Sequence, residues 1–461
     1  MSRRDRRHDR LAFWLPVVAV LAILGAATTA LLVDRGEEPA AGPAAVAPPP
    51  GLALPAVDTP APVAETAAGT ARPAAVRRAV AGPLGDADLG RHVRALVTDL
   101  DGRVLYEQGS GTTTPASTLK LLTTTAVLEV LGPDHTFETT VVAAGRNRVV
   151  LVGGGDPLLT HAGLRRLAVQ TATALRVRDV GAVRVGYDTS LFTGPAVSPF
   201  WPAGYVADGV VSPIESLWVD EGRDPSGYGR VTDPAATAAT DFAAALQRAG
   251  VRVSGTPAET TAPADAAPLA TLSSLTLDRI VEHTVEVSDN EAAEVLARQV
   301  GLAVSGEGSF AAGARDVLAT VRSLGVPTTG AVTHDGSGLS RMDRLDPRTL
   351  TSVLEVAGAE DHPELRAVVT GLPVAGFTGS LAERFETAPG GRGFVAAKTG
   401  TLTGVSGLAG IVTDASGTPM LFALVADRVA VVDTLDARAA LDDAASALAG
   451  CRCGGAGTVA P

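Results

Sequence analysis

Lysine and asparagine are nearly absent from this 461-residue chain. Lys120 and Lys398 are the only lysines among 38 basic residues, and Asn147 and Asn290 are the only asparagines. Arginine stands at every other basic position, yet arginine keeps its proton in proteins whereas a buried lysine can lose its own. Two surface lysines could remain by chance in a sequence that otherwise uses only arginine as its basic residue, but both lysines lie within motifs. We therefore expect each lysine to perform chemistry that arginine cannot.

Cysteine and metal-binding histidine patterns are also scarce. Cys451 and Cys453 are the only cysteines, which excludes a disulfide scaffold and a thiolate-rich zinc site. They lie in a glycine-rich tail, and a local disulfide and an intermolecular disulfide both remain as alternatives. The seven histidines form no HExxH or HxxxH pair. The sequence therefore predicts no metal and no cofactor.

Basic charge is in deficit as well. The chain has 38 basic and 50 acidic residues and a net charge of −12, which argues against nucleic-acid binding. Hydrophobic residues make up 46% and charged residues 19%, so the chain as a whole is not disordered.

The N-terminus carries a targeting signal. Five arginines within residues 1–10 precede an apolar run over 11–33, whose 23 residues are enough to span a bilayer. The basic flank predicts an N-terminus that stays in the cytoplasm and a remainder that crosses the membrane. We favour an uncleaved, single-pass anchor over a cleaved secretory signal. In either case the protein is predicted to work outside the cytoplasm, on the membrane or in the cell wall.

Composition divides the rest of the chain. Residues 34–83 are rich in Pro and Ala and predict a disordered linker, and residues 450–461 predict a flexible tail. Residues 84–145 and 263–449 predict one domain, interrupted by an inserted β-rich domain over 146–262. We predict an α+β fold, an antiparallel sheet covered by helices.

Four segments support this fold. A hairpin is predicted around Asp101-Gly102, and a buried apolar helix over 119–131. Two helices meet at residues 288–290, and a three-stranded antiparallel meander over 394–427 precedes a closing helix.

Three short motifs suggest a serine hydrolase. In Ser117-x-x-Lys120, helical spacing places the amine beside the hydroxyl, where a lysine of lowered pKa can act as a base. The Ser288-Asp-Asn290 motif offers a proton relay and an amide, although Ser288 with Glu291 also fits a helix capping box. Either motif alone is weak evidence.

The third motif is Lys398-Thr399-Gly400-Thr401, on a predicted strand. Its lysine supplies charge, its threonines supply hydroxyls for a carboxylate, and its glycine allows a substrate backbone to come close. Taken alone, it fits an ordinary edge-strand lysine. Together and in this order, the three motifs match the signature of penicillin-recognising serine enzymes.

The chain resembles the D-alanyl-D-alanine carboxypeptidase/endopeptidase family of low-molecular-mass, class C penicillin-binding proteins, peptidase family S13. The resemblance covers about residues 84–448 and includes two further motifs, Gly153-Gly-Gly-Asp156 and the segment from His334 through Asp335 to Arg341. It implies a penicillin-binding, β-lactamase-like transpeptidase fold, with the inserted domain between the first two motifs. The implied partners are peptidoglycan stem peptides and inhibitory β-lactams.

The resemblance also implies residue roles. Ser117 would be acylated with Lys120 as its base, and the backbone N–H groups of Ser117 and Thr401 would form the oxyanion hole. Ser288 would pass a proton to the leaving D-alanine, supported by Lys398. The remaining assigned residues would bind substrate, the amide through Asn290 and the terminal carboxylate through Thr399 and Thr401, with Gly400 between. No role follows for Asp156 or for residues 335–341.

Two alternative functions stay open at this stage. A β-lactamase-like hydrolase would use the same motifs, but the class A enzymes place an E-x-x-x-N motif between the second and third. No asparagine lies between Asn290 and Lys398. A non-catalytic cell-wall binding protein is disfavoured by the intact motifs. The balance between carboxypeptidase and endopeptidase activity does not follow from the sequence.

Overall fold

A computed structural model describes residues 70–454 of the chain. The helices are α1 Pro73–Val80, α2 Lys120–Leu131, α3 His161–Val177, α4 Pro234–Arg248, α5 Leu277–Glu286, α6 Asn290–Ser305, α7 Phe310–Ser323, α8 Pro347–Gly358, α9 Ala367–Thr370 and α10 Thr434–Gly450. The strands are β1 Val93–Thr98, β2 Val104–Gln108, β3 Glu138–Ala143, β4 Arg148–Val152, β5 Ala182–Asp188, β6 Arg252–Val253, β7 Ala258–Glu259, β8 Pro268–Ser273, β9 Val395–Leu402, β10 Val405–Thr413 and β11 Pro419–Asp427.

Five strands form an antiparallel sheet in the order β2-β1-β11-β10-β9. The predicted hairpin and the predicted meander are both present, and the meander joins the hairpin through β11. The strand that carries Lys398 is therefore at the edge of the sheet. An edge strand leaves one row of backbone groups unpaired by its own sheet, where an extended peptide can bind.

Helices cover both faces of this sheet. Successive residues of a strand point to opposite faces, so a strand buried on both sides is continuously apolar. In β11, Phe422 and Leu424 pack in the cluster that contains Leu441 of α10. Leu421 and Val425 pack in the cluster that contains α2, α5 and α8. The predicted α+β fold is confirmed.

A second sheet lies between the first and second motifs along the chain. Its order is β6-β5-β4-β3-β8, with β7 paired to β5, and α3 and α4 contribute to its core. It runs from Glu138 to Ser273, so the predicted limits of 146 and 262 cut off its strands β3 and β8. The parallel pairing of β4 with β5 and the two long helices make this region mixed rather than β-rich.

The predicted limits of the disordered linker, 34–83, and of the flexible tail, 450–461, both need correction. Within the predicted linker, α1 has Val76 and Val80 fully buried in the same cluster as α10. Within the predicted flexible tail, Cys451 and Cys453 form a disulfide, and the N–H of Arg72 donates to the carbonyl of Cys453. The two ends of the described chain therefore pack together. The few apolar residues of α1 lie in a segment rich in alanine and proline, so the composition of residues 34–83 did not predict this helix.

The predicted membrane anchor lies outside the described residues. Between residues 70 and 454, no helix is both long and apolar enough to cross a bilayer.

Candidate active site

The Ser117-x-x-Lys120 motif occupies a tight turn. Residues Ala116–Leu119 form a 3₁₀ helix, and α2 continues from Lys120. Side chains three residues apart eclipse in a 3₁₀ helix, and here Nζ of Lys120 lies 2.9 Å from Oγ of Ser117. Ala116 has φ of 48°, a left-handed conformation that a non-glycine residue adopts only under constraint. The turn brings the two side chains together, as their spacing predicts.

Three acceptors surround the Lys120 amine. Nζ donates to Oγ of Ser117 at 2.9 Å, to Oδ1 of Asn290 at 2.9 Å and to the carbonyl of Ser337 at 2.8 Å. A protonated amine uses all three of its N–H groups here. A neutral amine can still donate to Asn290 and Ser337, and its lone pair then faces the Ser117 hydroxyl. This geometry suits a base that removes the proton from Ser117.

The two lysines are both unusually easy to deprotonate. Burial lowers the pKa of Lys120 from 10.5 to about 8, against the opposing charges of Glu294 and Asp335. Burial, and then the charge of Lys120, hold the pKa of Lys398 well below its ordinary value. Arginine would remain charged in place of Lys120 and could not act as a base there, which explains why lysine occurs at this position.

Ser288 lies at the break between α5 and α6. Its φ is 62°, and its Oγ accepts a hydrogen bond of 2.7 Å from Nζ of Lys398. The helix cap is Asp289, whose Oδ1 accepts from the N–H of Ala292 at 2.9 Å. The capping-box alternative for Ser288 is therefore wrong, and its hydroxyl belongs to the lysine network instead.

Asn290 joins the first two motifs. It begins α6, and its Oδ1 accepts from Lys120 while its Nδ2 donates to the carbonyl of Val210 at 3.2 Å. Its amide is thus engaged at both ends. Contact between Asn290 and a substrate amide remains a prediction.

The Lys398-Thr-Gly-Thr401 motif lies on β9, against the 3₁₀ turn Ala116–Leu119 that carries Ser117, here called the nucleophile turn. Thr399 is buried with its Oγ1 hydrogen-bonded to Ser380 at 2.9 Å, whereas Thr401 is exposed. A Cβ on Gly400 would lie 2.7 Å from the carbonyl oxygen of Pro115. The need for glycine is therefore explained by strand-to-turn packing, and its expected contact with substrate remains a prediction.

The segment from Asp335 to Arg341, which had no predicted role, forms a wall behind the nucleophile turn. Ser337 supplies the carbonyl that accepts from Lys120. Gly338 has φ of 81°, and a Cβ there would lie 2.0 Å from the carbonyl oxygen of Ala116. Only glycine meets both conditions. The guanidinium of Arg341 donates to the carbonyl of Thr403 at 2.7 Å and so ties this wall to the end of β9.

Glu294 is a buried residue of the site that the sequence analysis missed. Its two carboxylate oxygens accept from the N–H groups of Gly336 and Ser337 at 3.0 and 2.8 Å. It follows Asn290 by four residues on α6, so one helix face carries both. Burial, and then Asp335, raise the pKa of Glu294 to about 8. Glu294 fixes the two peptide groups just before the Ser337 carbonyl that binds Lys120, and its spacing from Asn290 is the signal that could have found it.

Asp335 organises the same wall from within. Its carboxylate accepts from the N–H groups of Gly338 and Ser340 at 2.8 and 2.7 Å, and from Nε1 of Trp201 at 2.8 Å. Burial, and then the charge of Asp335, raise the pKa of its neighbour Asp343 to about 10. Acidic side chains therefore hold this wall in place beneath a buried lysine.

Asp156, the other unexplained residue, lies between β4 and α3. Its Oδ1 accepts from the N–H of Leu158 at 2.9 Å, and its backbone carbonyl accepts from Nε1 of Trp218. Burial raises the pKa of this carboxyl to about 6.

We expect Glu294→Gln to slow acylation by penicillin about tenfold, because an amide cannot accept from both N–H groups and the Ser337 carbonyl must shift. The acylation rate of the unchanged protein should rise as the pH passes about 8, where Lys120 loses its proton. The charge of Glu294 raises the pKa of Lys120, so its removal should move this rise to lower pH.

The measurement is the second-order acylation rate from pH 6 to pH 10. Glu291→Gln is the control: Glu291 is buried on the same helix but binds the N–H of Ser212 and the guanidinium of Arg230, and its charge raises the pKa of Lys120 less than that of Glu294 does. A profile that does not shift, or an equal shift in both variants, would contradict the role of Glu294.

The chain and its fold are similar to those of known carboxypeptidases and of a penicillin binding protein. The model of the D-Ala-D-Ala carboxypeptidase 3 (S13) family matches residues 76–226 and 224–448. The chain is 36% identical over 457 residues to the carboxypeptidase DacB of Mycolicibacterium smegmatis, covering 95% of this chain and 96% of that one. It is 35% identical over 413 residues to a carboxypeptidase of Mycobacterium tuberculosis, covering 85% and 87%.

A solved structure shows the same fold. Penicillin binding protein 4 of Haemophilus influenzae is similar with a TM-score of 0.68 and 22% identity, covering 80% of this chain and 97% of its own.

Proposed function

The chain belongs to the D-Ala-D-Ala carboxypeptidase 3 (S13) family and is a serine-type DD-peptidase, and we propose that Ser117 is the nucleophile with which it cleaves the terminal D-alanyl-D-alanine bond of peptidoglycan stem peptides. The observation that carries this proposal is the 2.9 Å contact between the Ser117 hydroxyl and the buried amine of Lys120. The family assigned from the sequence is confirmed.

Acylation begins when Lys120 accepts the hydroxyl proton of Ser117. The serine oxygen attacks the carbonyl carbon of the penultimate D-alanine, and the resulting oxyanion faces the N–H groups of Ser117 and Thr401. The C–N bond then breaks as Ser288 donates its proton to the leaving amine of D-alanine. Lys120 returns the proton to Ser288, and the charge of Lys398, whose Nζ lies 2.7 Å from Oγ of Ser288, supports this transfer. Water next attacks the acyl-enzyme and releases the shortened peptide.

The two lysines are coupled, because burial and then the charge of Lys120 lower the pKa of Lys398. A substrate carboxylate bound at Thr399 and Thr401 would favour the protonated form of Lys398. Charge on Lys398 would in turn lower the pKa of Lys120, because the two sites repel as cations. Binding of a substrate with a free terminal carboxylate would thereby favour the neutral form of Lys120, which is the form that acts as a base. This coupling would explain a requirement for a free carboxylate.

Cleavage of D-alanyl cross-links would use the same acyl-enzyme, with the side-chain amine of a neighbouring stem peptide as the leaving group. A β-lactam would acylate Ser117 by ring opening, which keeps its leaving amine attached. The site therefore fits both substrates and a covalent inhibitor.

Product analysis on two substrates tests the proposed function. The protein should release free D-alanine from a defined pentapeptide, and a cross-linked muropeptide should show whether the second cleavage occurs. Nitrocefin is the control: turnover of nitrocefin without release of D-alanine would indicate a β-lactamase instead.

We expect a reporter fused after residue 40 to be active only outside the cytoplasm, because the arginine cluster precedes the apolar run 11–33. Enzyme-activity reporters specific for each compartment provide the measurement. An inverted fusion, with the five arginines moved behind the run, should lose the external signal. A fusion active only in the cytoplasm would separate the enzyme from its proposed substrate.

The same segment is proposed to anchor the protein to the membrane. The intact mass of the membrane fraction tests this, since loss of the first 30 or so residues would indicate a cleaved signal.

A further inference from the structure

Three side chains that can bind metal converge beside the Ser288 turn. They are Glu221 on the 3₁₀ turn Asp220–Gly222, His283 on α5 and Asp289 at the start of α6. One ligand atom from each lies within 4.8 Å of the other two, and Nε2 of His283 is 3.5 Å from Oδ2 of Asp289. Glu221 is distant in sequence from the other two residues, so no short motif contains the whole cluster.

One carboxylate oxygen of Asp289 makes no hydrogen bond to any described residue in this arrangement. The side chain is 2% exposed, and its Oδ1 is used as the cap of α6. Within residues 70–454, Oδ2 has no hydrogen-bond partner although it is buried. It is the oxygen that faces His283, so it points into the cluster. A buried carboxylate oxygen without a hydrogen bond is rare in proteins, and an ion bound between this oxygen and Nε2 of His283, 3.5 Å away, would account for it.

The nearby arginines do not fill this position. Arg223 contacts Oε2 of Glu221, and Arg230 binds Oε1 of Glu291 at 2.7 Å. Both guanidinium groups are therefore directed at other oxygens. The carboxyl groups of Glu221 and Asp289 repel each other when both are ionised, and a cation between them would remove the repulsion.

The cluster opens into a cavity of about 420 Å³, which is also lined by Ser288, Asn290 and the two paired arginines, Arg223 and Arg230. The cavity can supply a water molecule as a further ligand. The imidazole of His283 is partly exposed on this side, so an ion can reach it from solvent.

We propose that Glu221, His283 and Asp289 bind one divalent transition-metal ion of the zinc class. One imidazole nitrogen, two carboxylate oxygens and a water form a four-ligand set that Zn²⁺ accepts, whereas Mg²⁺ and Ca²⁺ prefer oxygen ligands alone. The ion links α5, α6 and the 220–222 turn across Ser288. It therefore holds the serine and the asparagine of the second motif in place, and this inference does not depend on how Ser117 reacts.

Isothermal titration of the full-length, chelator-treated protein with ZnCl₂, without reductant, tests the proposal. We expect one zinc ion per chain, with an affinity weakened at least about tenfold in both His283→Ala and Glu221→Gln. Co²⁺ in place of zinc should give a visible absorption spectrum that the same variants lose. The melting temperature of the metal-free variants checks folding, and two different variants keep the test decisive if one is unstable.

The matched control is His362→Ala. His362 lies in a second cluster that also has one histidine and two carboxylates, those of Glu129 and Glu364, but that cluster is on the surface. Its substitution should leave zinc binding unchanged. The proposal is overturned if the unchanged protein does not bind zinc, if His283→Ala binds it equally well, or if His362→Ala abolishes binding. Penicillin labelling of the metal-free protein, measured in parallel, reports separately on the proposed function.

Discussion

Ser117→Ala is expected to abolish both release of D-alanine from a pentapeptide and covalent labelling by penicillin. The alanine has no oxygen with which to form the acyl-enzyme, so the rate should fall by at least about 10⁴-fold. The substitution removes one partly exposed oxygen from a 3₁₀ turn and leaves the buried contacts of Lys120 with Asn290 and Ser337 in place. The loss should therefore not come from misfolding.

Two measurements check this outcome: D-alanine release, and stoichiometric labelling by a fluorescent penicillin. Ser110→Ala, on an exposed turn, is the control and should behave like the unchanged protein. Stoichiometric labelling of Ser117→Ala would show that another residue is the nucleophile.

Lys120→Arg and Lys398→Arg should differ in their effects on acylation. Arginine keeps the charge of lysine but cannot act as a base near neutral pH. Acylation by one penicillin should therefore fall by about 10²-fold or more in Lys120→Arg, the usual scale of general base catalysis. In Lys398→Arg the charge remains, and only the contacts with Ser288 and Thr399 change, so we expect a loss of about tenfold.

The second-order acylation rate of each purified variant measures this contrast. Both lysines are fully buried, so thermal unfolding of each variant must first show that the larger guanidinium is accommodated. Equal losses would mean that proton transfer and electrostatic support are not divided between the two lysines. A nearly active Lys120→Arg would mean that Ser288 with Lys398 removes the proton from Ser117.

Local patterns predicted the peptidase part of the fold well. The hairpin, the helix after Ser117, the break at residues 288–290 and the final meander each have a strong local signal, either a turn pair or a continuous apolar run. Three motifs also predicted which side chains meet, because lysine is so scarce that its two positions are informative. The contacts of Lys120 with Ser117 and of Lys398 with Ser288 agree with that expectation.

Features that depend on distant contacts were missed for a physical reason. Helix α1 is stabilised by packing in the cluster that contains α10, which no composition window over 34–83 can reveal. Glu294 acts on a loop 42 and 43 residues away in sequence. Ser288 fits a capping box by sequence, but the left-handed turn gives the cap to Asp289. Each of these depends on tertiary structure rather than on spacing.

The most direct test of the central claim is to locate the penicillin adduct by mass spectrometry. The full-length protein is acylated with penicillin, denatured in acid and digested, and its peptides are sequenced. The claim that Ser117, activated by Lys120, forms the acyl-enzyme predicts one penicilloyl group per chain, on Ser117. An adduct on Ser288 or any other residue, or an unmodified protein after prolonged incubation, would contradict it.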